Sequence, residues 1–216
     1  MSVRDFMSTN VITVPPETKI SIAVNLMKSN NIHRLPVIDN GQLVGLITAG
    51  IIQAASPSQA TSLSIYEYNY LLNKMTVKEI METTVRTIGA DDFLEDAIYK
   101  MLKYQVGVLP VISNNETIGI ITNNDILKAF LDVTDYKESA TVVQVFIHQD
   151  RTGVIYEIGK IMADNNLNIQ TLMVTHQGTI KVVEIHVDRK DGFSVASKLR
   201  EAGFDAKEAS HYKHVT

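Results

Sequence analysis

Thr122 and Asp125 are the residues whose types and spacing carry the most chemistry, standing three positions apart in the run Gly119-Ile-Ile-Thr-Asn-Asn-Asp125. The run reads as a buried strand that ends at Thr122 and opens directly into a helix over residues 126–130. Such a junction suits a sugar phosphate. Thr122 brings a hydroxyl, the new helix N-terminus brings unpaired backbone N–H groups that favour anions, and Asp125 brings two acceptor oxygens that match a vicinal diol. Thr-x-x-Asp is equally the pattern of a helix cap, so the surrounding elements decide between the two.

Composition narrows the function classes. At 216 residues, with 45% hydrophobic and 20% charged residues, the chain has room for one large or two modest globular domains. A formal net charge of −4, without any dense Lys/Arg run, argues against a nucleic acid polymer as partner. With no cysteine, disulfide frameworks, thiolate catalysis and Cys-based metal sites are excluded. Met1-Ser-Val-Arg-Asp-Phe lacks the apolar core of a signal peptide, and no segment reaches the apolar length that spans a bilayer. A cytoplasmic protein with no membrane partner is expected.

The elements that position Asp125 occur twice. Residues 3–55 return at 77–129 with a constant shift of 74 and no slip of register. Leu35-Pro-Val-Ile38 meets Leu109-Pro-Val-Ile112, and Gly45-x-Ile-Thr48 meets Gly119-x-Ile-Thr122. The first copy reads as a short helical lead (3–7), a brief strand (11–14) and a helix started by Pro15-Pro-Glu-Thr18 that runs to about residue 30. Two β-rich runs follow, 35–38 and 43–48, joined by the hairpin turn Asp39-Asn-Gly41, and a last helix starts near Gly50. Ile20, Val24 and Met27 share one helix face, as Leu94, Ala97, Ile98 and Met101 do in the second copy; both methionines are read as core. The expected class is α/β (α+β), with tandem β-α-β-β-α repeats at 1–55 and 77–131 related by a pseudo-two-fold. A linker, 56–76, is polar at first and then forms a connecting helix over 63–74, whose Tyr66, Tyr68 and Tyr70 are read as packing between repeats or at a dimer contact.

The duplicated Leu-Pro-Val-Ile and Gly-x-Ile-Thr elements, the second extended to Asp125, resemble a CBS domain pair over residues 3 to about 131. The resemblance implies a regulatory adenosyl ligand, such as AMP, ATP, cyclic di-AMP or S-adenosylmethionine, bound between the repeats, and no resident cofactor. The copies differ at the positions that would face it. Thr122-x-x-Asp125 answers Thr48-Ala-Gly-Ile51, and His33-Arg34 answers Gly107-Val108. The resemblance further implies that cations at His33 and Arg34 reach across the pseudo-two-fold to a phosphate whose ribose the other repeat holds. One good cleft per chain is expected. In it Asp125 takes the ribose, Arg34 and His33 the phosphate, and Thr122 adds a donor. Val85, Val108 and Ile121 wall the base, and Gly107 permits close approach.

Residues 140–212 follow a different grammar. Strand 141–148, helix 154–165, strands 168–175 and 179–187, helix 193–202 ended by Gly203, and a last strand near 205–209 make the ferredoxin-like β-α-β-β-α-β order. Val143, Val145 and Ile147 face one side, as do Val183, Ile185 and Val187, against a helical stripe of Val154, Ile158, Ile161 and Met162. This segment resembles an ACT domain, which implies an amino-acid effector site at the first strand-to-helix turn. Asp150 and Gly153 fit the Asp-x-x-Gly pattern there, with helix capping by Asp150 the competing role. Two CBS repeats followed by an ACT module resemble the acetoin-utilisation AcuB-type proteins.

No Gly-x-Ser-x-Gly elbow, P-loop lysine motif or His-Glu-x-x-His helix occurs, so no enzyme is expected. Of the six histidines, His148 and His186 are read as edge or surface residues and His211 and His214 as a mobile tail, with no metal site. The expected protein is a homodimeric sensor that relays occupancy of its cleft to the ACT module or to an unknown client protein. The competing reading is a dimeric scaffold or accessory subunit with vestigial clefts.

Overall fold

The computed structural model describes residues 1–56, 70, 72–134, 140–188 and 194–209. The chain divides into two units, Met1–Leu127 and Lys128–Thr216. Tyr66, Tyr68, most of the expected connecting helix, and the His211 and His214 tail lie outside the described residues, while residues 72–74 are helical.

In the first unit a 3-10 turn, Val3–Asp5, precedes α1 (Ile20–Ser29), β1 (Arg34–Asp39), β2 (Gln42–Thr48) and α2 (Ala49–Ala55). The second copy follows as α3 (Val77–Ile80), β3 (Ile88–Gly89), α4 (Leu94–Tyr104), β4 (Val108–Ser113), β5 (Glu116–Thr122) and α5 (Asn123–Val133). Both hairpins close on two residues with positive φ, Asn40 (48°) with Gly41 (80°) and Asn114 (50°) with Asn115 (65°), the conformation that matches strand twist. β1 pairs β2 as β4 pairs β5, each with a register shift at the same place, after Val37 and after Val111. The duplication therefore extends to local irregularities. Ile20, Ala23 and Met27 are buried on α1 and Leu94, Ala97 and Met101 on α4, while Val24 is half-buried at the margin of its core.

Two local expectations change. Pro15-Pro-Glu-Thr18 closes a turn, with the Thr18 N–H donating to the Pro15 carbonyl at 3.1 Å, and the helix begins at Ile20 after an extended Lys19. The cause is tertiary: the Pro16 and Thr18 carbonyls accept from Lys78 and Val77 of the other repeat at 2.9 and 2.8 Å. The expected strand over 11–14 is reduced to one bridge between Val14 and Val37.

Each lead crosses to the opposite repeat. Val3 and Arg4 donate to Asp92 and Ala90, each at 2.9 Å, and Ser8 exchanges two backbone bonds with Ile120, each 2.9 Å. Reciprocally, Glu82 exchanges bonds with Leu46 at 2.9 and 3.0 Å. The crossing is close, and only glycine admits it. A β-carbon placed on Gly119 would lie 2.5 Å from Met7 Sδ and 3.2 Å from the Ser8 carbonyl, and Gly45 stands equally tight against Met81 and the Glu82 carbonyl.

The second unit comprises β6 (Ala140–Ile147), α6 (Val154–Asp164), β7 (Ile169–Gln177), β8 (Ile180–Asp188), α7 (Val195–Glu201) and β9 (Asp205–Ala209). Its antiparallel sheet runs β7-β8-β6-β9. Val143, Val145 and Ile147 form one cluster with Val183, Ile185 and Val187, with Ile158 and Met162 of α6, and with Leu199 of α7. Period-2 strands and a 3.6-period helix meet on one face, each fully buried aliphatic side chain contributing about 1.5–3 kcal/mol.

Candidate functional site

The junction of β5 and α5 holds Thr122 and Asp125 in reciprocal hydrogen bonds. Asp125 Oδ2 accepts from Thr122 N at 2.8 Å and from Thr122 Oγ1 at 2.7 Å, while Asp125 N donates back to Thr122 Oγ1 at 3.4 Å. This is a capping box, and it leaves Oδ1 without a partner among the described residues. Capping and ligand binding are thus compatible: one oxygen fixes the rotamer and the other stays available. In the first repeat Thr48 Oγ1 accepts from Ile51 N at 3.2 Å, a cap with no carboxylate.

Arg34 reaches this junction from the first repeat. A β-carbon placed on Gly107 would lie 2.9 Å from Arg34 Nη2 and 3.1 Å from Asn123 Nδ2, so a guanidinium of one repeat and the first helical residue of the other share the space that Gly107 vacates. His33, next to it, is exposed. Arg34 is paired in register with Thr48, and Gly107 accepts from Asn123 N at 3.2 Å.

Other expected wall residues fall elsewhere. Ile121 is 0% exposed and paired with the equally buried Leu109, so it belongs to the core. Strand alternation turns Ile120 and Thr122 the opposite way. Val85 and Val108 do line a cavity, of about 250 Å³, but with Leu46, Glu82, Thr84 and Arg86, and with Tyr104 and Val106; neither Thr122 nor Asp125 borders it. The crossed leads explain the difference, because residues 82–86 lie against β2 of the first repeat through the Leu46–Glu82 bridge. Moving that wall by 74 positions brings Ser8, Val11, Ile12, Ile32 and Ile120 to the Thr122–Asp125 side, where the Ser8–Ile120 bridge stands. Val11, Ile12, Ile32 and Ile120 are half-buried apolar residues that the sequence reading passed over. The repeat shift itself was the signal that identified them.

In the second unit Asp150 and Gly153 border another cavity of about 250 Å³, with Val154, Tyr156, Val174 and Lys181. Gly153, at φ 94°, is the N-cap of α6 and has no side-chain cap. Asp150 therefore does not cap that helix; it pairs with Lys181. The hydrogen bond from Lys181, helped by its charge, holds the Asp150 carboxyl below its ordinary pKa, against a smaller opposing effect of desolvation. A depressed folded-state value stabilises above the ordinary carboxylate pKa, and that contribution is lost as pH falls through the lowered value. Lys181→Met is expected to move the Asp150 titration upward, toward the ordinary carboxylate value, in a carbonyl-detected NMR titration. An unmoved midpoint rejects the pairing.

His148 is exposed and bonds Asp205 at 2.8 Å. His186, read as an edge or surface residue, is instead 4% exposed, 3.2 Å from Glu184 Oε1, on the sheet face opposite the helices. Its strand neighbours Ile185 and Val187 take the covered face, and alternation sends His186 the other way. No three potential metal-binding His, Asp or Glu residues cluster among the described residues. No described helix is long and apolar enough to cross a membrane.

Two interlocked repeats, with Arg34 of one brought to the Thr122–Asp125 junction of the other at Gly107, define a tandem-repeat α/β module. The chain belongs to the CBS domain family, which matches residues 3–56 and 77–132, just over half of its length. It is 31% identical over 125 residues to the CBS domain-containing protein YhcV of Bacillus subtilis, covering 58% of this chain and 82% of that one. Several other curated relatives are spanned over less than half of their length. Among solved structures, the CBS domain pair of protein MJ0100, in complex with methylthioadenosine and S-adenosyl-L-methionine, is 31% identical with a TM-score of 0.50, covering 60% of this chain and 95% of that one. CBSX2 in complex with AMP is 28% identical with a TM-score of 0.52, covering 61% and 97%.

Proposed function

We propose that this chain is a cytoplasmic regulatory protein whose CBS pair holds one adenosyl ligand per chain, with ribose on Asp125 and Thr122 and phosphate on Arg34 and His33. The observation that carries this reading is the convergence of Arg34 from one repeat with the start of α5 from the other at Gly107. The adenosyl complexes of MJ0100 and CBSX2 support the ligand class. Val11, Ile12, Ile32 and Ile120 then supply the apolar walls for the base, in place of Val85, Val108 and Ile121.

The strand order β7-β8-β6-β9, with both helices on one face, supports reading the second unit as a ferredoxin-like ACT domain. Its candidate effector site is the cavity at Asp150 and Gly153, where Lys181 would release Asp150 or meet a carboxylate as an amino acid enters. A role in acetoin or central carbon metabolism rests on the order of modules alone. Exposed Leu127, Phe130 and Leu131, spaced three and four apart on α5, support homodimerisation. The ligand acts by binding two arrangements of the dimer, or of its complex with a client protein, with different affinity.

The test compares AMP with adenosine by calorimetry. Arg34→Ala is expected to weaken AMP about tenfold, the loss of one charge-assisted contact, and to leave adenosine unchanged. Equal loss for both removes Arg34 from the phosphate. A second reading, a dimeric scaffold with vestigial clefts, is favoured by the engagement of Asp125 in its own helix cap. No thermal shift with saturating AMP, ATP, cyclic di-AMP and S-adenosylmethionine would establish that reading.

A further inference from the structure

Two methionines close the crossing of the leads. Met7 and Met81 stand at equivalent places in the two copies, and so do the glycines they cover, Gly119 and Gly45. A β-carbon placed on Gly119 would lie 2.5 Å from Met7 Sδ and 3.1 Å from Met7 Cγ, and one on Gly45 would meet the same two atoms of Met81. Each thioether therefore fills the hollow that a glycine leaves in a strand of the opposite repeat. The turns that carry them are fixed, with Met7 N donating to the Val3 carbonyl at 2.9 Å and Met81 N to the Val77 carbonyl at 2.8 Å. Met81 also packs against the core of the first repeat.

The chain has no cysteine and 8 methionines, so all of its sulfur chemistry belongs to thioethers. Met27, Met101 and Met162 are buried in the cores. Met1 is exposed, and Met7, Met75, Met81 and Met173 are half-buried, within reach of a small oxidant. Of these, only Met7 and Met81 lie over a glycine among the described residues. A peroxide reacts with a thioether by attack of a sulfur lone pair on one oxygen. The S–O bond forms as the O–O bond breaks, the sulfur gives up two electrons, and the other oxygen leaves as hydroxide, which takes the proton of the transferred oxygen and becomes water. The product, a sulfoxide, is polar and branched at sulfur. Over Gly119 its oxygen meets strand backbone, where the neighbouring Ile120 N–H is already given to the Ser8 carbonyl, and an acceptor buried without a donor is disfavoured. A sulfoxide that turns to water instead leaves the hollow empty. By either course the lead loses its hold on the opposite strand.

We propose that Met7 and Met81 are a pair of reversible oxidation sites, at which a peroxide converts the thioether fastening each lead to the opposite repeat into a sulfoxide that loosens it. The test treats the full chain with hydrogen peroxide and follows each methionine by peptide mass spectrometry and the fold by thermal melts. Wild type is expected to gain one oxygen on Met7 and on Met81 while Met27, Met101 and Met162 stay unmodified, and to melt roughly 3–6 °C lower. Methionine sulfoxide reductases, one for each epimer, are expected to restore the midpoint. Met7→Leu combined with Met81→Leu keeps apolar side chains of similar volume and is expected to hold its midpoint under the same treatment. Met1→Leu, Met75→Leu and Met173→Leu combined leave Met7 and Met81 as the accessible thioethers, and that variant is expected to shift as wild type does. The proposal is overturned if Met7 and Met81 stay unmodified once Met1 is fully oxidised, if their oxidation leaves the midpoint in place, or if the Met7→Leu, Met81→Leu variant loses as much as wild type. If that variant fails to fold, reductase treatment of oxidised wild type decides: a midpoint that returns as Met7 and Met81 are repaired supports the proposal, and one that does not return overturns it. Every readout is taken without nucleotide, so the outcome is independent of the adenosyl site.

Discussion

Asp125→Ala is expected to lower the affinity for AMP about ten- to hundredfold, since a hydrogen bond to a charged acceptor contributes roughly 1.5–3 kcal/mol. The same substitution also removes the N3 acceptor of the capping box, a feature that contributes about 0.3–1.5 kcal/mol of stability. The two effects separate in Asp125→Asn. Its amide oxygen can still accept from Thr122 N, as Asp125 Oδ2 does at 2.8 Å, so the cap survives, while the charged acceptor facing the ligand is gone. Asp125→Asn should therefore melt close to wild type and yet lose most of the AMP affinity. Calorimetry and thermal melts of the two variants check this. AMP binding at wild-type strength in both would mean that the carboxylate serves the helix alone.

The residue differences on which the proposed half-sites rest are legible because the constant shift of 74 makes the chain its own comparison. Asp125 against Ile51, and Arg34 against Val108, are differences that stand out only once the copies are aligned. The hairpins were equally legible, since Asn40-Gly41 is a local signal with a local cause. Ile121 was misread through neglect of a rule already available: if Thr122 faces the cleft, its strand neighbour cannot. Val85 and the start of α1 were misread for a different reason. Both depend on the leads crossing between repeats, through pairs such as Ser8 with Ile120 and Thr18 with Val77. No periodicity within a segment encodes which distant strand that segment will meet. Tight glycines are the one trace in the sequence, because Gly45 and Gly119 are conspicuous in strands where β-branched residues are otherwise favoured.

Gly119→Val puts that trace to the test. In an isolated strand valine would be the better residue, so any loss must come from what crosses above it. Its β-carbon alone would meet Met7 Sδ at 2.5 Å. The thioether can swing aside, but the Ser8 carbonyl at 3.2 Å is backbone, held by accepting from Ile120 N at 2.9 Å while Ser8 N donates to the Ile120 carbonyl at 2.9 Å. The two γ-methyl groups of valine then have no free direction, and overpacking of this kind costs about 1–3 kcal/mol. Gly45→Val should cost a similar amount, since Met81 and Glu82 stand over it in the same way. Function distinguishes the pair. Gly119→Val displaces the lead that carries Ser8, Val11 and Ile12 and should weaken AMP in the folded protein, whereas Gly45→Val disturbs the Arg86 cleft and should leave AMP bound. Urea titration gives the stability of each variant and calorimetry below the unfolding midpoint gives the affinity. If both variants lose AMP equally, the clefts are coupled through the hairpins; if neither does, the leads are fasteners that take no part in the nucleotide site.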